Sequence, residues 1–134
     1  MVKLIVGLKG TGKTKLLIEQ VNSEANNAKG DVVCIEKGKK LTYDISHRIR
    51  LISADEYGID NFDCLYAFVC GIIASNYDIT AIFIDGVLKI CGNKKDELAG
   101  FVEKLKGVLN DDKTITITVS ADPSEISELK EYIA

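Results

Sequence analysis

Three runs of this chain, "DVVCIE" at 31–36, "ITAIFID" at 79–85 and "TITITVS" at 114–120, are apolar or β-branched along nearly their whole length. A strand that faces water on one side alternates apolar with polar residues, whereas a continuous run implies cover on both faces. A further short run, residues 2–6, ends at Gly7. Helical patterns separate these runs, so strand and helix alternate through nearly the whole chain. That order predicts an α/β domain, a three-layer α/β/α sandwich. Its sheet is mainly parallel, of about five strands, with right-handed crossovers. Ligands of such sheets gather at the carboxyl ends of the strands. Gly7, Glu36, Asp85 and Asp122 stand at or just past those ends.

The intervening segments read as follows. From Lys13 the pattern is helical, with Leu17, Val21 and Ala28 on one stripe and Gly30 as the stop. Residues 41–53 alternate, placing Ile45, His47, Ile49 and Leu51 on one face, which predicts an edge strand covered on one side. Asp60 is placed to cap a helix that runs to about Ser75 and includes the apolar stretch "CLYAFVCGIIA", expected to be deeply buried. "NKKDELAGFVEKLKGVLN" is amphipathic through Leu98, Phe101, Val102, Leu105, Val108 and Leu109. Asp122, Pro123 and Glu125 open a last helix as a capping box.

The 134 residues suit one domain, 1–134, with enough chain for a real core. A net charge of −3, with scattered lysines and only Arg48 and Arg50 as arginines, argues against a nucleic-acid binder, which clusters cations for phosphate contacts. The eleven-residue apolar stretch at 64–74 is too short to span a membrane. No signal-type segment opens the chain, so a cytoplasmic location is expected. Cys34, Cys64, Cys70 and Cys91 form no C-x-x-C pair and His47 is the only histidine, so a structural zinc site is not expected. The cysteines read as small buried hydrophobes in a reducing compartment.

Gly7-Leu8-Lys9-Gly10-Thr11-Gly12-Lys13-Thr14 fits G-x-x-x-x-G-K-[ST] without a mismatch, between a strand and a helix. Each position has a physical task. Gly7, Gly10 and Gly12 let the backbone wrap an anion closely, and the amides from about Gly10 through Thr11 to Thr14 point at a phosphate. The helix start adds its positive end. Lys13 reaches terminal phosphate oxygens, and the Thr14 hydroxyl ligates Mg²⁺. The loop resembles that of the P-loop NTPase superfamily. The resemblance implies bound ATP or GTP with Mg²⁺, and a metal-holding aspartate after an apolar run, here Asp85 in "AIFIDG". In many hydrolysing relatives a glutamate follows that aspartate as base. Gly86 stands there instead.

Residues 2–36 and 79–85 are similar to the core of RecA-like ATPases, of the recombinase and type IV pilus retraction kinds. Those families place a catalytic glutamate at the end of the strand after the phosphate-loop helix, which implies Glu36 here, with Lys13 as its catalytic partner. The chain looks most like a small bacterial P-loop protein. In one branch of the superfamily a polar residue on the strand between the loop strand and the aspartate strand senses the terminal phosphate, a part for Ser120. Other readings of these residues stand beside this one. Glu36 also suits a solvated turn, Asp122 suits a helix cap, and Arg48 and Arg50 suit a solvated strand face. Tyr43 and Tyr57 are able to stack on a base. Three functions remain open: slow nucleoside triphosphate hydrolysis, a nucleotide-binding adaptor without turnover, and phosphoryl transfer to a small acceptor, the last because the opening also resembles thymidine kinase-type enzymes. A protein partner or a homo-oligomer, formed through the apolar 62–74 helix, is compatible with all three.

Overall fold

The computed structural model describes residues 1–27 and 29–134. Five strands form one sheet: β1 (Val2–Gly7), β2 (Asp31–Glu36), β3 (Arg50–Ser53), β4 (Ile79–Ile84) and β5 (Thr114–Ser120). Their spatial order is β1-β5-β4-β2-β3, and every neighbouring pair is parallel. Helices α1 (Lys13–Asn27), α2 (Phe62–Ser75), α3 (Val87–Ile90) and α4 (Leu98–Val108) connect them. Short 3₁₀ turns occupy Ala54–Tyr57, Lys95–Glu97 and Pro123–Tyr132. The expected α/β/α architecture is therefore present, and the parallel sheet follows from strands that are apolar on both faces.

Two clusters of side chains divide those faces. On one side Leu17 and Val21 of α1 pack on Val32, Cys34, Ala81 and Phe83. On the other, Leu65 and Val69 of α2 and Leu98, Phe101 and Leu105 of α4 pack on Ile35, Ile82, Ile84, Ile115 and Ile117. Phe62 and Phe101 join α2 to α4 with ring centroids 5.0 Å apart. Gly30 is required by close approach, since a Cβ there would clash with the Asp78 carbonyl oxygen. The stripe residue Ala28 lies outside the described residues. No described helix is long and apolar enough to cross a membrane.

The structure corrects several local expectations. Only residues 50–53 of the supposed 41–53 strand are extended. Residues 41–49 form turns closed by Ile45 N–H to Leu41 O and Ile49 N–H to Ser46 O. Leu41, Ile45 and Ile49 face α1 and β2, while His47 is exposed. These apolar residues are four apart, which suits successive turns, and the spacing also satisfies an alternating pattern. The short β3 does lie at the sheet edge. Asn61, not Asp60, caps α2, its side chain accepting from Cys64 N–H at 2.8 Å. Helix α2 buries one face through Phe62, Leu65 and Val69 rather than its whole surface, and Cys64 is exposed. The final helix is a 3₁₀ segment kinked at Ile126, although its capping box between Asp122 and Glu125 is formed.

Candidate functional site

The carboxyl ends of β1, β5, β4 and β2 place Gly7, Ser120, Asp85 and Glu36 along one rim. The glycine loop leaves β1 and turns directly into α1, whose first bond runs from Leu16 N–H to Gly12 O. Gly10 and Gly12 adopt φ of +84° and +86°, a region that favours glycine. A Cβ on Gly7 would sit 2.6 Å from Thr11 Oγ1, so a side chain there would displace the Thr11 hydroxyl that folds back on the loop. Thr11 Oγ1 donates to Leu8 O at 2.7 Å and Lys13 Nζ to the same carbonyl at 2.9 Å. Lys13 is thus folded over the loop. Desolvation lowers its ammonium pKa and the nearby Lys89 charge adds to this, while Asp85 opposes both.

Asp85 meets the loop across the sheet. Thr14 Oγ1 donates to Asp85 Oδ1 at 3.2 Å, a contact between residues 71 apart in sequence. Thr118 Oγ1 donates to the same oxygen at 2.9 Å and accepts from Gly86 N–H at 2.7 Å. Thr118 is 2% exposed and fixes the aspartate from β5, the strand between β1 and β4. Sequence reasoning passed over Thr118 in favour of Ser120. The signal was the Thr-Ile alternation of "TITITVS", which gives Thr116, Thr118 and Ser120 one face.

A cleft of about 450 Å³ runs over the loop, lined by Gly10, Gly12, Lys13, Thr14, Asp85, Lys89, Thr118 and Ser120 among others. Ser120 is therefore at the cleft, whereas Asp122 is bound to its cap, accepting from Ser124 N–H at 2.9 Å. A second cleft, about 490 Å³, adjoins the first and shares Thr14, Asp85 and Lys89. Glu36, Lys40 and Leu41 line its far side. Glu36 is only 4% exposed. It accepts from Lys40 N–H at 2.9 Å and from Leu41 N–H at 3.2 Å. It lines the adjoining cleft rather than the loop cleft itself, and its carboxylate is engaged by the 37–41 turn rather than solvated. Burial raises its pKa, against the two amide bonds that pull the other way. Arg48 and Arg50 are exposed and line neither cleft. Tyr43 and Tyr57 are exposed and line neither cleft as well.

These residues fit a magnesium-bound nucleotide. Gly10 and Gly12 give the loop the left-handed backbone of a cradle, and Thr14 and Asp85 offer the hard oxygen donors that Mg²⁺ prefers. Lys13, folded on Leu8 O, is within its own reach of an anion in the cleft.

No family model and no curated protein matches this chain. Among solved structures 81 chains match, so the shape is widespread and by itself discriminates poorly between activities. One of them is the flagellar accessory protein FlaH from Methanocaldococcus jannaschii, with a TM-score of 0.64 and 18% identity over 98% of this chain and 67% of that one. At that identity the likeness is one of fold alone, and it agrees with the α/β/α architecture expected from the sequence.

Proposed function

We propose that residues 1–134 form one nucleotide-binding unit that holds a magnesium-bound nucleoside triphosphate, ATP or GTP, and hydrolyses it slowly. The observation that carries this reading is the Thr14–Asp85 contact beneath a strand-loop-helix cradle. Two residues far apart in sequence supply metal-type oxygen donors at one point, beside the Lys13 ammonium. Bound Mg²⁺ would neutralise phosphate charge there. Thr14 and Asp85 would hold it, Lys13 would bind phosphate oxygens, and Thr118 keeps Asp85 oriented. Glu36 orients the attacking water from the second cleft, in place of the base that Gly86 lacks.

The test is thermal unfolding with ATP, GTP and ADP, with and without Mg²⁺, beside Lys13→Ala. Ligand at about 100 times its Kd stabilises by about 2.7 kcal/mol, roughly several degrees for a chain of this size. Lys13→Ala abolishes the shift. Absence of any shift in the wild type rejects the reading.

One observation favours a second reading, a nucleotide-binding adaptor without turnover. The Glu36 carboxylate is already bonded to Lys40 and Leu41 N–H groups. A single-turnover assay separates the two. Phosphate release that Glu36→Gln abolishes, with binding intact, supports hydrolysis. No product with excess protein supports the adaptor.

A further inference from the structure

Helix α3 is four residues long, and three of them, Val87, Leu88 and Ile90, are 0–3% exposed. Lys89 is the exposed member. Its backbone is consequently anchored by buried neighbours on both sides, and its side chain projects from a fixed point. The stem runs over Gly86, with Cβ, Cγ and Cδ of Lys89 between 3.6 and 3.9 Å from where a Gly86 Cβ would stand. Gly86 has φ +70°. A side chain at Gly86 would lie in van der Waals contact with the aliphatic part of Lys89.

The head group has a matching position. Among the described residues, Lys89, Thr14 and Asp85 are the ones that line both clefts. Among the described residues no ion pair involves Lys89 or Lys13. Lys13 and Lys89 line the first cleft together. Asp85 is the carboxylate beside them, so the set Lys13, Lys89 and Asp85 has an excess of positive charge at the junction of the clefts. A phosphate group at that junction would relieve the excess.

We infer that Lys89 is a ligand of the terminal phosphate, supplied within the same chain, and that it makes the site prefer a nucleoside triphosphate over a diphosphate. The inference rests on the nucleotide reading above and adds which residue reads the third phosphate. Lys13, rising from the loop itself, serves both nucleotides. Lys89 stands with Asp85 at the junction of the two clefts, apart from the loop.

The experiment is titration calorimetry with adenosine β,γ-imidotriphosphate and with ADP, both with Mg²⁺, on the wild type, Lys89→Gln, Lys89→Arg and, as a surface-charge control, Lys130→Gln. The guanosine pair replaces them if the wild type prefers that base. A charge-assisted bond at an open cleft predicts that Lys89→Gln weakens the triphosphate analogue about tenfold. ADP changes less than about twofold, Lys89→Arg keeps most of the preference, and Lys130→Gln alters neither ligand. Equal weakening of both ligands, or of neither, overturns the role of Lys89 while leaving the nucleotide site standing. A wild type that binds neither nucleotide sinks the site and this inference together.

Discussion

Gly86 shows how backbone geometry limits which chemistry a position can host. Its φ of +70° lets the chain turn out of β4 into α3 and place Lys89 at the clefts. The loop glycines are constrained in the same way. Gly12→Ala, at φ +86°, lowers stability by about 1–2 kcal/mol and weakens nucleotide binding, measurable by urea unfolding and calorimetry. Thr118→Val removes an acceptor from Gly86 N–H and a donor to Asp85 in a buried place. Its cost is about 1–3 kcal/mol by the same urea measurement. Glu36 sets a pH dependence. Its folded pKa is raised by burial, so the folded state holds its proton to higher pH than the unfolded chain. The associated stability is present below the ordinary glutamate value and is lost as pH rises through the raised folded one. Glu36→Gln flattens that fall in unfolding midpoints taken across the window. Lys13, Thr14 and Asp85 were legible in the sequence because their spacing is local or follows a strand end. Thr118 and Lys89 were not, because their placement depends on which strand lies beside which.

At the scale of elements, runs apolar on both sides were read correctly as strands, and misreadings arose where one pattern serves two structures. Leu41, Ile45 and Ile49 recur every fourth residue, which alternation and successive turns share. Helix α2 misled for a different reason. Its outward positions are Cys64, Ala67, Gly71 and Ala74, which count as apolar yet present little surface to water. Composition therefore suggested full burial where only one face is packed. The cap of α2 offers a direct check. Asn61→Ala costs about 1 kcal/mol, since its side chain alone accepts from Cys64 N–H. Asp60→Ala costs much less, because Asp60 only accepts from the Asn61 side-chain amide. Chemical denaturation of the two variants ranks them.

Across the whole molecule, the sheet order brings the first and last strands together. β1 pairs with β5 from Val2↔Ile115 to Gly7↔Ser120, and β5 pairs in turn with β4. Ile117, fully buried, stands between Leu4 and Ile84 in that register. Ile117→Ala costs about 2–5 kcal/mol, and amide exchange quickens in both β1 and β4 rather than in β2 and β3. The parallel order was foreseeable from alternating strands and helices, but the insertion of β5 between β1 and β4 was legible only through resemblance. This insertion has a consequence in time. On a ribosome the glycine loop is made before β2, β3, β4 and β5, yet its strand has no sheet neighbour until residues 114–120 have emerged. The outer side of β1 is closed later still, by Ala134 N–H to Leu4 O. The loop is thus translated before the strand that seats it, and a nascent chain leaves it without that support until β5 has emerged.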